Sequence, residues 1–146
     1  MQLRDYQQES IDKINELLPV HKSLLLILCT GAGKTVVASH LIHQYESQGQ
    51  STMFIAHRQE LISQASMTLS NFGVEHRLIC PKPLESKIKS MHFSVFGRTY
   101  INPFASCSVG SAQTVVRRLE KLSRPDLLII DEAAHAVSNL WRKTIE

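Results

Sequence analysis

The heptapeptide CTGAGKT, Cys29 to Thr35, follows an apolar run of strand length and opens a helical stretch. That setting is the one in which a glycine-rich turn holds polyphosphate. Gly31 and Gly33 let backbone N–H groups close on phosphate oxygens, and the helix that follows adds the positive end of its dipole. In this reading Thr30, Gly31, Ala32, Gly33, Lys34 and Thr35 form the cradle. Lys34 reaches the β- and γ-phosphates and Thr35 ligates Mg²⁺. The general pattern places a glycine five residues before Gly33, where this chain has Leu28. A glycine turn that merely opens a helix is the competing reading, and the Gly-Lys-Thr ending favours the cradle.

A second chemical signal is the carboxylate pair Asp131-Glu132, reached from the apolar run Leu127 to Ile130. Carboxylates at the C-terminal end of a buried parallel strand stand where open α/β sheets place their ligands. Beside a phosphate loop, Asp131 would hold the metal and Glu132 would polarise an attacking water, so the predicted catalytic set is Lys34, Asp131 and Glu132. Taken alone, such a pair is equally a solvated helix start. Its partnership with Lys34 and Thr35 is what favours chemistry.

Positioning these groups requires a sheet. Tyr6, Ile11, Ile14, Leu17 and Leu18 fall at helical spacing, and Pro19 stops the run. Ser23 to Leu28 reads as a buried strand, and a helix is expected from Lys34 to near Gly49. The alternation continues with a strand at Ser51 to Ala56, a helix from Arg58 to Phe72 closed by Gly73, and a strand at Val74 to Cys80. After a gap come a short strand at Cys107 to Gly110, a helix from Gln113 to Leu122 and a strand at Leu127 to Ile130. Strands alternating with helices imply right-handed crossovers and a mostly parallel sheet with helices on both faces, an α/β fold. Residues 81–106 carry Pro81, Pro83, Gly97 and Pro103 without clear periodicity, and are expected to be an irregular excursion with a disordered tip.

The 146 residues are 43% hydrophobic and 20% charged, with 6 Gly and 5 Pro, the profile of an ordinary globular domain with one core. A formal charge of +3 permits an anionic partner without identifying one. Cys29, Cys80 and Cys107 lack metal or disulfide spacing, which points to a reducing cytosol. Leu24 to Cys29 is too short to span a membrane and the N-terminus has no signal-peptide core, so a cytoplasmic, unexported protein is expected.

Read in order, the motifs resemble superfamily 2 helicases and translocases of the DEAD/DEAH type, over almost the whole chain. LRDYQ resembles the adenine-recognising segment, which implies that Arg4 and Gln7 read the base. CTGAGKT resembles motif I, IAHRQEL (Ile55 to Leu61) motif Ia, VGSAQT (Val109 to Thr114) the following nucleic-acid-contacting motif, and IIDEAAH motif II. The resemblance implies a RecA-like P-loop domain spanning 1–146, with ATP and Mg²⁺ as cofactors and nucleic acid as partner. It assigns phosphate-backbone contact to His57, Arg58, Gln113 and Thr114, contacts that position a strand without reading its sequence. LRDYQ and AHRQEL are most similar to the restriction, repair and phage branch, which implies DNA more than RNA.

Two departures bear on activity. The family's box is Asp-Glu-x-His or Asp-Glu-x-Asp, whereas Ala134 stands in the fourth position and His135 follows it. The residue that links nucleotide to strand movement is thereby changed. The 146 residues also end before motif III and before the second RecA-like lobe, in cis or in trans, that would bring an arginine finger. A truncated or degenerate binding module is therefore the alternative to a motor lobe. A P-loop kinase or GTPase would need an acceptor or guanine-reading element, and no NKxD motif occurs. Arg77, Lys82, Lys87, Lys89 and Arg98 form a basic stretch that reads first as a solvated loop and second as a phosphate-backbone contact. Arg117, Arg118, Lys121 and Arg124 carry the same ambiguity. His40 and His43 read as helix-face residues, and Trp141 as packing.

Overall fold

The computed structural model describes residues 5–17, 34–123 and 125–130. Its elements are α1 (Asp5–Leu17), α2 (Lys34–Ser47), β1 (Thr52–Ala56), α3 (Gln59–Asn71), β2 (Arg77–Ile79), α4 (Lys82–Phe96), β3 (Cys107–Ser111), α5 (Ala112–Arg117), a 3₁₀ turn (Leu119–Lys121) and β4 (Leu127–Ile130). The strand expected at Ser23 to Leu28 lies outside the described residues.

The four described strands lie in the order β2-β3-β1-β4, and every pair is parallel. Phe54 at the centre of β1 faces Val109 on one side and Ile129 on the other. Every residue of β1 and β3 is buried, which requires cover on both faces and fits the unbroken apolar run from Met53 to Ala56 in β1. Successive side chains still divide between faces. Phe54 and Ala56 pack with Ala38 and Ile42 of α2 and Ile62, Ala65 and Leu69 of α3, whereas Met53 and Ile55 pack with Ala112 and Val115 of α5. The small residues of β3 let α5 close tightly over the sheet. A Cβ on Gly110 would stand 2.6 Å from Cγ2 of Val115 and 3.2 Å from Cβ of Ile79, so only glycine fits without displacing a stiff neighbour.

Where an irregular excursion with a disordered tip was expected, α4 runs for 15 residues, Lys82–Phe96. The prolines and glycine that looked like breakers are its punctuation. Pro81 is the extended N-cap residue and Pro83 stands in the first turn, where a missing N–H costs no helical hydrogen bond. Gly97 takes the left-handed conformation at the other end, φ 71°, and its N–H donates to the carbonyl of Phe93 at 3.0 Å. Leu84, Ile88 and His92 recur every fourth residue on the buried side. The polar third member hides the apolar period.

Two further expectations are trimmed. The strand predicted from Val74 to Cys80 is confined to Arg77–Ile79, with His76 making a single parallel bridge to Ile101. The helix predicted from Gln113 to Leu122 begins at Ala112, stops at Arg117 and gives way to the 3₁₀ turn.

His92 belongs to a fully buried polar relay with Ser66 and His76. The backbone N–H of Tyr100 donates to Nδ1 of His92 at 3.0 Å, which leaves the proton of His92 on Nε2. Nε2 lies 2.9 Å from Oγ of Ser66, and Oγ lies 2.6 Å from Nε2 of His76. Nδ1 of His76 in turn lies 3.0 Å from the carbonyl of Val74, so it carries the proton there. Every proton is thereby assigned: His92 donates to Ser66, Ser66 to His76 and His76 to Val74. Both rings are neutral. Burial, opposed by the Val74 carbonyl, holds His76 down at about 4, and burial also lowers His92. The relay ties α3, α4 and the segment before β2 into one body.

Candidate functional site

Parallel strands place all their C-terminal ends along one edge of a sheet, and that edge collects the predicted site. The far end of α2 is tied to the opposite edge, where Glu46 accepts from Oγ1 of Thr52 at 3.2 Å and from the hydroxyl of Ser106. α2 therefore runs back across the sheet, and its Lys34 end stands at the C-terminal edge with Thr35 half-buried behind it. Ile11 of α1 packs with Val37 and Leu41, and Nδ2 of Asn15 donates to Oε1 of Gln44 at 2.9 Å. The two helices advance in the same direction. Gln7, buried one turn before Ile11, consequently falls beside the Lys34 end of α2.

β1 delivers His57 and Arg58 to the same edge, both exposed, with Arg58 as the extended N-cap residue of α3. β3 delivers Gln113, and the two motifs touch: Nε2 of Gln113 lies 3.2 Å from Nδ1 of His57. A hydrogen bond in this sense makes Nδ1 of His57 the acceptor from the Gln113 amide. Thr114 is placed differently from its neighbour. It is buried, its N–H donates to Oγ of Ser111 at 3.3 Å, and its hydroxyl accepts from Ser111 at 3.0 Å. Ser111 is the N-cap of α5 and orients the turn that carries Gln113, a role sequence reading did not assign although serine before a helix is a recognisable capping signal.

Arg4, Thr30, Gly31, Ala32, Gly33, Asp131 and Glu132 lie outside the described residues, as do Ala134 and His135. Asp131 follows directly on Ile130, which pairs with Ile55 beside the end of β1. His40 and His43 pack against the ring of Phe72, with ring centroids 4.7 and 6.2 Å away, at the α2–α3 contact and away from this edge.

A parallel sheet in this order, with helices on both faces and the chemistry-bearing segments gathered at one edge, defines an α/β domain of the RecA-like class. The same fold covers 100% of this chain in a nuclease-deletion mutant of the type ISP restriction-modification enzyme LlaGI, solved in complex with a DNA substrate mimic. That match has a TM-score of 0.65 at 17% identity and covers 16% of the other chain. The chain belongs to the family described as type III restriction enzyme, res subunit, which matches residues 1–146, and so to the restriction-type branch of superfamily 2 at its N-terminal lobe. IRC3 of Saccharomyces cerevisiae, whose name describes an ATP-dependent helicase, is 34% identical over 154 residues, covering 99% of this chain and 20% of that protein. The chain thus spans a fifth or less of the length of both relatives.

Proposed function

We propose that this domain binds ATP with Mg²⁺ and carries a nucleic-acid strand, DNA in preference to RNA, along the C-terminal edge of its sheet, as the first lobe of a motor completed by a second RecA-like lobe. The observation that carries the reading is the contact between His57 and Gln113, which joins two separately predicted strand-contacting motifs beside the Lys34 end of α2. Membership of a helicase family supports nucleotide use, and the DNA mimic bound to LlaGI supports the choice of DNA.

The described residues fit a nucleoside triphosphate. A helix N-terminus with Lys34 and Thr35 faces the edge, and buried Gln7 lies beside it where Arg4 and Gln7 would read the base. Lys34 would grip the terminal phosphates, Thr35 and Asp131 would hold Mg²⁺, and Glu132 would orient the attacking water. The metal supplies charge neutralisation between the β- and γ-phosphates. Nucleotide and nucleic-acid binding without turnover is the second reading, favoured by Ala134 in place of the coupling residue. A reducing cytoplasm suits the free thiols of Cys80 and Cys107, which burial raises to about 11 and about 12. Among the described residues no helix is long and apolar enough to cross a membrane.

Anisotropy titration of single-stranded DNA at several salt concentrations tests the strand-binding edge. Binding without sequence preference is expected, with log affinity falling by about 0.7 per decade of salt for each phosphate neutralised. Arg58→Ala should weaken it by about fivefold, the equivalent of ~1 kcal/mol for an exposed charge contact. Affinity indifferent to salt, or unchanged by Arg58→Ala, would remove the support for this edge.

A further inference from the structure

The edge that carries Gln113 continues to the end of β2, where two stretches distant in sequence converge. α4 departs from there at Lys82, and the end of α5 with the 3₁₀ turn after it presents Arg117, Arg118 and Lys121, all exposed. Ile79, the last residue of β2, pairs with Gly110 and packs with Val115 of α5, and α4 begins three residues later at Lys82. The Arg118 turn and the head of α4 flank one strand end.

The outer face of α4 continues the same chemistry. Lys82, Lys89 and Phe93 fall on one side of the helix, about a third of a turn around from the buried Leu84, Ile88 and His92, with exposed serines at 86 and 90 on their outer flank. Phe93 is 57% exposed. The acid of this helix, Glu85, is half-buried and offsets part of this charge through Lys89, 3.6 Å away. Lys82 and Lys89 are separated by about 10 Å along the helix, or about three steps of a nucleic-acid strand. The Ser66 relay holds α4 against α3, so this face keeps a fixed distance from Arg58 at the head of α3.

We propose that Arg117, Arg118 and Lys121, with Lys82, Lys89 and Phe93 of α4, form a second contact surface for the phosphate backbone, taking the strand on from Gln113 around the end of β2. The inference rests on the strand-binding edge proposed above. Guanidinium and ammonium groups neutralise phosphates, the serine hydroxyls donate to them, and Phe93 offers a ring on which a base stacks where the strand leaves. Such a surface lengthens the occupied site without adding sequence preference.

Two oligothymidylates, one of about 8 and one of about 25 nucleotides, separate this surface from the first edge. Titrations on the full 146-residue chain would compare wild type, Arg58→Ala, and the combined variant Lys82→Gln, Lys89→Gln, Arg118→Gln. The combined variant should bind the longer strand about tenfold more weakly, with its salt slope reduced by about 2, and bind the shorter strand nearly as wild type does. Replacing the same three positions by the other basic residue (Lys82→Arg, Lys89→Arg, Arg118→Lys) should restore the slope, and an unchanged melting temperature confirms that all variants fold. If Arg58→Ala weakens binding while the combined variant matches wild type on the longer strand, the second surface is wrong and the first edge stands. If neither substitution matters, or wild type binds neither strand, both fail. Competition by polyglutamate as strong as by the longer oligonucleotide would assign the surface to an acidic protein segment and overturn the proposal.

Discussion

Joined to a second RecA-like lobe, this chain is expected to turn over ATP about 10³–10⁵ times faster in the presence of DNA than it does alone. The magnitude comes from the charge that develops on the γ-phosphoryl group. In the proposed site Lys34, Thr35, Asp131 and Glu132 would serve phosphate binding, metal binding and orientation of water, but none of them is an arginine finger. In the superfamily that this chain belongs to, the resemblance assigns that arginine to the partner lobe. In the proposed motor, movement would depend on the partner too, because two lobes that open and close would provide the hinge through which nucleotide state becomes displacement. Phosphate release measured for the chain alone, then fused to the second lobe of a related restriction-type motor, gives the ratio. Vigorous DNA-stimulated release by the chain alone, at a concentration where it is monomeric, would contradict this account.

Ser66→Ala should cost about 3 kcal/mol of folding stability. The hydroxyl is the midpoint of the relay, donating to His76 and accepting from His92. Its loss strands Nε2 of His76 in a site with no exposure and leaves Nε2 of His92 only the longer 3.4 Å contact with Ser70, and a stranded buried group costs about 1–3 kcal/mol. The same relay makes stability depend on pH. His76 is held at about 4 in the fold against an ordinary 6.5, so the unfolded chain takes up a proton first as the pH falls. The contribution is complete above pH 6.5 and shrinks progressively as the pH drops toward 4, by up to roughly 3 kcal/mol from His76 alone. Urea unfolding at pH 7 and pH 5 checks both expectations. Equal midpoints at the two pH values, or a Ser66→Ala midpoint matching wild type, would show that the relay is not formed.

The sequence made the repeating strands and helices legible wherever apolar runs were bounded by glycine, as α2, β1 and α3 were before Gly49 and Gly73. It misled at α4, because Pro81, Pro83 and Gly97 have the same letters whether they break a helix or begin and end one. Only the buried partners of Leu84 and Ile88 decide between those roles. Ser66, Ser70, His76 and His92 were invisible as a group, since a polar relay has no spacing of its own and depends on helices meeting. Motif residues were legible one by one, but not their adjacency. His57 and Gln113 are 56 positions apart and meet only because β1 and β3 pair in parallel from Thr52 with Cys107 to Ala56 with Ser111. Thr114 shows the limit of reading by motif: its neighbour Gln113 reaches the edge while its own hydroxyl is bound to Ser111 in the cap of α5.

Calorimetric titration of ATP with Mg²⁺ into wild type and Lys34→Ala tests directly whether nucleotide is held where α2 begins. Lys34 is the one side-chain cation of the CTGAGKT loop, so its removal leaves the terminal phosphates without a charge-assisted partner. Saturable heat is expected for wild type and none for Lys34→Ala at the same concentrations, with both proteins melting at the same temperature in the absence of nucleotide. Equal affinity for the two proteins would contradict that placement.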